Sequence, residues 1–202
     1  MKPANSIVFV VDDDVAVREA LASLIGSVAL QVECFASPQE FLRRRMSDAP
    51  SCLVLDVRLP GLSGLDLQRE LAQAERQIPI VFISGHGDIP MAVRAMKAGA
   101  IEFLPKPFRD EDLLDAIRQA LVRDKSALVR RAELAGIRGR YARLTARQHQ
   151  IMTRIVEGTL NKQIAAELAL SENTIKVHRR RIMEKMGASS FAELVQMIER
   201  LG

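Results

Sequence analysis

Cysteine is scarce: Cys34 and Cys52 are the only two, far apart in the chain and each inside an apolar run. They read as reduced core residues of a cytosolic protein, not as a disulfide or a metal pair. Long apolar runs are also missing. Nothing approaches the ~20 residues that a bilayer span needs. The run Ile7–Val11 is too short for a signal-peptide core and ends in three aspartates, so no export signal is expected. There are no internal repeats and no low-complexity tracts. These absences exclude a disulfide scaffold and a membrane span, and they point to a cytoplasmic protein.

What is present is unevenly spread. Hydrophobic residues make up 48% of the 202, enough for each part to bury a core, and charged residues 27%. The net charge of +4 hides an asymmetry: residues 1–124 hold 14 Lys+Arg and 18 Asp+Glu, a net of −4, and residues 125–202 hold 15 and 7, a net of +8. An acidic half joined to a basic half suggests two jobs, the basic half being the nucleic-acid candidate. A basic surface that is merely solvated is the alternative.

Five short apolar runs punctuate the acidic half: Ile7–Val11, Gln31–Phe35, Cys52–Asp56, Ile80–Ser84 and Ile101–Leu104. Between and after them lie helical patterns at Val15–Ser27, Pro38–Arg45, Leu65–Glu75, Ile89–Ala98 and Asp110–Val122. Pro38 suits a helix first turn and Gly99 a helix end. Runs apolar on both faces fit a parallel sheet covered on both sides. The alternation predicts an α/β fold, a doubly wound, flavodoxin-like five-stranded parallel sheet. Functional groups gather at the carboxyl ends of such strands. Asp12, Asp13 and Asp14 follow the first run, Asp56 ends the third, Ser84 ends the fourth and Lys106 follows the fifth. Clustered carboxylates call for a hard cation, and all-oxygen ligands suit Mg²⁺. With the cation present, one carboxylate can attack phosphorus while Lys106 and the Ser84 hydroxyl hold phosphoryl oxygens.

The motifs V-V-D-D-D at 10–14, L-V-L-D-V-R-L-P-G-L-S-G at 53–64, I-S-G-H-G at 83–87 and K-A-G-A-I-E-F-L-P-K-P-F at 97–108 resemble the CheY-like receiver domain of two-component response regulators. The resemblance implies that Asp56 is the phospho-acceptor. Asp12 and Asp13 become the acidic metal pair, and the backbone carbonyl of Arg58 the last protein ligand of Mg²⁺. Asp14 is left as a surface or helix-capping residue. Lys106 and Ser84 take the phosphoryl-sensing positions, with a cis bond between Lys106 and Pro107. Phe103 matches the switch aromatic, which turns inward and repacks the face of the fourth helix, fifth strand and fifth helix, a common dimer surface. Plain core is the other reading of Phe103. Arg58 and His86 occupy positions that tune phosphate lifetime, and for His86 a plain loop residue is the alternative. Aspartyl-phosphate hydrolases are a rival class, but they need an aspartate where Arg58 stands.

Residues 123–143 are charged and Ala-rich. They predict a helix continuing from the last α/β helix to about Ala135, then a flexible joint at Gly136 and Gly139. Leu114, Ile117, Leu121, Leu128 and Ala132 form a broken stripe, open to reading as a dimer seam or a solvated linker. From Leu144 onward the pattern is all-α. Thr145 and Gln148 fit a capping box, and the first helix stops at Gly158. Asn161 can cap a second helix. Ser171 can cap a third, ended by Gly187, and a fourth covers about Ser190–Glu199. Ile175, Ile182 and Met186 share the inner face of the third, whose front half is crowded with Lys176, Val177, His178, Arg179, Arg180 and Arg181. Two short helices around a tight turn, the second basic, make a helix-turn-helix suited to a major groove.

The segments L-T-A-R-Q at 144–148, N-K-Q-I-A at 161–165, L-S-E-N-T-I-K-V-H at 170–178 and I-x-x-K-M at 182–186 resemble the LuxR/NarL-type helix-turn-helix. The resemblance assigns Lys176, Val177 and Arg180 to bases, and Thr174, His178 and Lys162 to phosphates. It places Gln148 where the family often has Glu. The domain order, receiver 1–122, linker helix and joint 123–143, output domain 144–202, is that of FixJ/NarL-type transcription regulators, and G-H-G-D-I-P-M-A-V-R-A-M-K-A-G-A leans to the FixJ side. Implied partners are a sensor histidine kinase, duplex promoter DNA, a second copy of the chain when phosphorylated, and RNA polymerase. A phosphorylated adaptor that binds protein or RNA is a second rival. A groove-sized, capped basic helix favours duplex DNA over it.

Overall fold

The structure is a computed structural model that describes residues 6–45, 49–74, 76–85 and 89–201. The chain divides into two units, Met1–Leu128 and Val129–Gly202.

In the first unit the elements run β1 (Ile7–Val11), α1 (Val15–Ser27), β2 (Gln31–Phe35), α2 (Pro38–Arg43), β3 (Ser51–Asp56), α3 (Gly64–Gln73), β4 (Ile80–Ser84), α4 (Ile89–Lys97), β5 (Glu102–Pro105) and the start of α5 (Asp110–Tyr141). The strands form one parallel sheet in the order β2-β1-β3-β4-β5. This is the doubly wound, CheY-like arrangement expected. Alternate residues feed the two faces. Val8, Val10, Cys52, Val54, Val81 and Ile83 pack with Leu21 and Ile25 of α1 and Leu113 and Ile117 of α5. Phe9, Val11, Leu53, Leu55, Ile80 and Phe82 pack with Phe41, Leu67, Leu71 and Ala95 from α2, α3 and α4. Burial on both faces is why β1, β3 and β4 read as continuous apolar runs. The helix starts are satisfied locally: the Asp14 carboxylate accepts from Ala16 N at 2.8 Å, Ser37 caps α2, and Ser63 with Asp66 forms a capping box on α3.

Several expectations shift. Cys34 is exposed rather than core, because β2 is an edge strand, whereas Cys52 is buried. Ile117 and Leu121 are spent on the core of the first unit, so the stripe on α5 is not a continuous seam. The helix does not end near Ala135 but runs through Gly136 and Gly139 to Tyr141. Each helical glycine costs up to ~1 kcal/mol relative to alanine. That cost is offset because Ile137, only 3% exposed, is buried in the core of the second unit, and the Tyr141 ring packs edge-on to His149 at 4.4 Å.

The second unit continues with α6 (Ala146–Val156), α7 (Asn161–Glu167), α8 (Glu172–Met186) and α9 (Phe191–Glu199). Ile151, Ile155, Ile164, Ile175, Ile182, Met186 and Leu194 build its core. Thr145 and Gln148 form the expected capping box, Ser171 caps α8, and Gly187 ends α8 in a left-handed conformation at φ 68°. Asn161 does not cap α7. Leu160 occupies that position and its N–H is met by Gln163 Oε1 at 3.1 Å, while the Asn161 side chain accepts from Arg179 at 3.1 Å.

One buried carboxylate escaped the sequence. Asp124, 3% exposed, accepts from the backbone N–H of Ser51 at 2.8 Å and ties α5 to the start of β3. Asp124→Ala is expected to cost about 1–3 kcal/mol, because that N–H loses its partner in the interior. The check is the first transition of urea unfolding followed by circular dichroism. An unshifted midpoint would contradict it.

Candidate functional site

Parallel register brings the chemistry together. Val11 pairs with Leu55 and Ser84 with Pro105, so the residues leaving β1, β3, β4 and β5 collect along one edge of the sheet. Asp12 and Asp56 lie there, 1% and 6% exposed. Lys106 reaches both: its Nζ donates to Asp12 Oδ2 at 2.8 Å and to Asp56 Oδ1 at 3.2 Å. Two carboxylates leaving water need a cation, and Lys106 supplies it. The Lys106–Pro107 bond is cis, as expected. Lys106 N donates to the carbonyl of Ser84 at 2.7 Å, linking β5 to the end of β4, where the Ser84 side chain is fully buried.

The second oxygen of Asp56 accepts from Arg58 N at 3.0 Å. Gly64 closes the loop behind it: a Cβ there would stand 2.3 Å from the Asp56 carbonyl oxygen. Glycine is thus the residue that lets α3 begin against the backbone of Asp56. Gly64 closes the motif at 53–64, but only the folded loop reveals its role.

Asp13 and the Arg58 side chain are exposed. Asp12 and Asp13 are consecutive on leaving β1, and of the two only Asp12 is buried with Asp56. Among the described residues no group of three or more His, Cys, Asp or Glu gathers in ligating range. The donor chemistry nonetheless fits a hard cation, since Asp12 and Asp56 present oxygens to one shared positive charge. Phe103 is half-buried and packs on Phe82 at 6.2 Å, on the sheet face covered by α3 and α4. His86 lies outside the described residues.

In the second unit, α8 buries Ile175, Ile182 and Met186 completely. Lys176, Val177, Arg180 and Arg181 are exposed on it, and Lys162 is exposed in the first turn of α7. Arg180 makes an exposed pair with Glu184 at 2.9 Å, which contributes little by itself. The Thr174 hydroxyl meets Ser171 Oγ at 2.8 Å. His178 is half-buried, and its Nδ1 is one of two buried side-chain polar atoms without a partner among the described residues. Arg179 serves packing instead, holding Asn161 and lying over the Phe191 ring at 5.6 Å. Gln148 accepts from Lys185 Nζ at 2.8 Å, so the neutral amide still meets a cation while it caps α6.

Comparison with known proteins agrees with both halves. Residues 8–118 match the response regulator receiver domain, and residues 142–198 match the bacterial regulatory proteins of the luxR family. The chain belongs to the two-component response regulators of the FixJ/NarL type. The regulator is 51% identical to nodulation protein W of Bradyrhizobium diazoefficiens over 198 residues, 98% of this chain and 87% of that one. It is 51% identical to the response regulator protein TmoT of Ectopseudomonas mendocina over 201 residues, 100% and 91% of the two. The solved structure of the response regulator StyR is similar at a TM-score of 0.87 and 48% identity, covering 98% of this chain and all of that one. Like its family, the regulator is a DNA-binding transcription factor of a two-component system, not an enzyme. Among the described residues, no helix is long and apolar enough to cross a membrane.

Burial pushes the Asp56 carboxyl above its ordinary range, Lys106 pulls it back, and Asp12 raises it again. Burial also draws Lys106 down, but its contacts with Asp12 and Asp56 leave it above an ordinary ammonium. As pH falls, the Asp56 carboxylate therefore takes up its proton sooner than a free aspartate would. In metal-free protein, carboxyl carbon NMR is expected to show Asp56 titrating above a free aspartate. It should titrate higher still in Lys106→Met, because both effects of Lys106 favour the charged form. A fall in that variant would contradict the assignment.

Proposed function

We propose that Asp56 accepts a phosphoryl group from a sensor histidine kinase and that this controls promoter binding by α8. The observation that carries the reading is the Lys106 ammonium held between Asp12 and Asp56. A carboxylate oxygen of Asp56 attacks the phosphorus of a phosphohistidine. The P–N bond breaks, its electron pair stays on the imidazole, and an acyl phosphate forms. Lys106 already sits against the acceptor oxygen, so it takes up an incoming phosphoryl oxygen with little movement. The Ser84 hydroxyl, at the neighbouring strand end, hydrogen-bonds another.

Asp12, Asp13, Asp56 and the backbone carbonyl of Arg58 are the groups that would hold Mg²⁺. When bound, Mg²⁺ supplies charge neutralisation for the phosphoryl oxygens. Drawing Ser84 toward the phosphate frees space for Phe103 to turn inward. That repacks the α4–β5–α5 face, where Ile89, Val93 and Met96 leave an exposed apolar stripe on α4, 81%, 44% and 42% exposed. The stripe supports a homodimer of the phosphorylated regulator. A dimer presents two copies of α8 to paired half-sites in duplex DNA. Lys176, Val177 and Arg180 face bases, while Thr174, His178 and Lys162 contact phosphates. The division into receiver 1–122, linker 123–143 and output 144–202 belongs to the same reading, with RNA polymerase as the downstream partner.

Gel shifts on the target promoter with and without a small phosphoryl donor test the switch. Wild type is expected to bind more tightly when phosphorylated, and Asp56→Asn to ignore the donor. Equal binding in all four conditions would overturn it. The contacts are tested separately. Lys176→Ala is expected to lose about 1–3 kcal/mol on the cognate site and to relax its preference there. Lys162→Ala is expected to weaken all duplexes alike and to reduce the salt slope by about 1.

A further inference from the structure

The β1–α1 turn is held by more than its aspartates. Arg18, one turn into α1 and half-buried, sends one guanidinium nitrogen, Nη1, to two successive carbonyls, that of Asp12 at 2.7 Å and that of Asp13 at 2.9 Å. Side-chain bonds within the turn brace it further. Asp12 Oδ1 accepts from Asp14 N at 2.9 Å, and Asp14 Oδ1 accepts from Ala16 N at 2.8 Å. Asp12 Oδ2 is thereby left to face Lys106. The two oxygens of Asp12 have different duties, and the division depends on where the peptides on either side of Asp13 point.

We infer that Arg18 is a positioning residue for the divalent cation: by gripping both carbonyls it aims the Asp12 and Asp13 carboxylates at the site beside Asp56. This rests on the reading of Asp12, Asp13 and Asp56 as the Mg²⁺ ligands. Two consecutive carbonyls turned to one donor fix the peptide planes around Asp13, and fixed planes fix where the side chains leave the backbone. A ligand set that is already aimed binds a cation without first losing that conformational freedom. The charge of Arg18 acts in the opposite sense. A guanidinium close to the turn repels a second cation, so a role through charge alone predicts tighter Mg²⁺ binding once Arg18 is removed. A role in fold stability alone predicts unchanged binding in whatever fraction folds.

Isothermal titration of Mg²⁺ into the full chain separates these cases, with Mn²⁺ electron paramagnetic resonance as an independent count of bound metal. Arg18→Met is expected to weaken Mg²⁺ binding about tenfold and to speed amide hydrogen exchange at Asp14, whose N–H bond to Asp12 depends on the turn. Arg69→Met, which removes the same charge from an exposed pair with Asp66 on α3, is expected to bind Mg²⁺ as wild type does. Unchanged or tighter binding by folded Arg18→Met would overturn the inference. If that variant does not fold, Arg18→Lys decides. Weaker binding together with faster Asp14 exchange supports the inference, and wild-type values of both overturn it. Failure of wild type to bind Mg²⁺ at all would instead remove the metal reading on which the inference stands.

Discussion

The ammonium of Lys106 between Asp12 and Asp56 is the contact on which the first unit's chemistry depends. Two nearly buried carboxylates at neighbouring strand ends repel each other, and each would prefer water. They stay together because β5 ends beside β4, and the Lys106 N–H locks onto the carbonyl of Ser84. The side chain is thereby delivered to both acids. The same geometry keeps an Asp56 oxygen next to a positive charge, which the proposed phosphoryl transfer needs. The parallel sheet supplies the frame. Its β1, β3 and β4 strands are clamped between two apolar layers, which hold the edge carrying Asp12, Asp56, Ser84 and Lys106 in place.

Much of this was legible in the residues, and the reason is burial. Strands covered on both faces must be apolar at every position, so β1 and β4 could be delimited to the residue. The edge strand β2 matched its expected bounds as well, and the central strand β3 starts one residue before its apolar run. β5 lies one residue later than its apolar run suggested, and Cys34 on edge strand β2 is exposed although its run looked like core. Asp12 and Asp13 were read as an equal pair, but Asp12 is buried with Asp56 while Asp13 is exposed. Gly64, Arg18 and Asp124 were not legible as working residues. Each acts on backbone atoms, and for Asp124 the partner is 73 residues away.

The second unit shows how local signals and packing compete. Capping chemistry fixed most boundaries: Thr145 with Gln148, Ser171, Gly158 and Gly187 stand where side-chain oxygens and left-handed glycines put them. The glycines at 136 and 139 looked like a joint by the same logic, yet α5 passes through both, because the burial of Ile137 and the Tyr141–His149 contact reward a helical path. Asn161 had the chemistry of a cap but is taken by Arg179. That exchange removes one arginine from the crowded front of α8 and leaves Lys176, Val177 and Arg180 facing outward.

The central claim is that the carboxylate beside Lys106 and Asp12 is the one that carries phosphate. The most direct measurement is to phosphorylate the full chain with a small phosphoryl donor, reduce the acyl phosphate with borohydride, and map the reduced residue by mass spectrometry. The account predicts homoserine at position 56 and nowhere else. A reduced residue at position 12 or 13, or phosphate that resists reduction because it sits on a hydroxyl side chain, would contradict it.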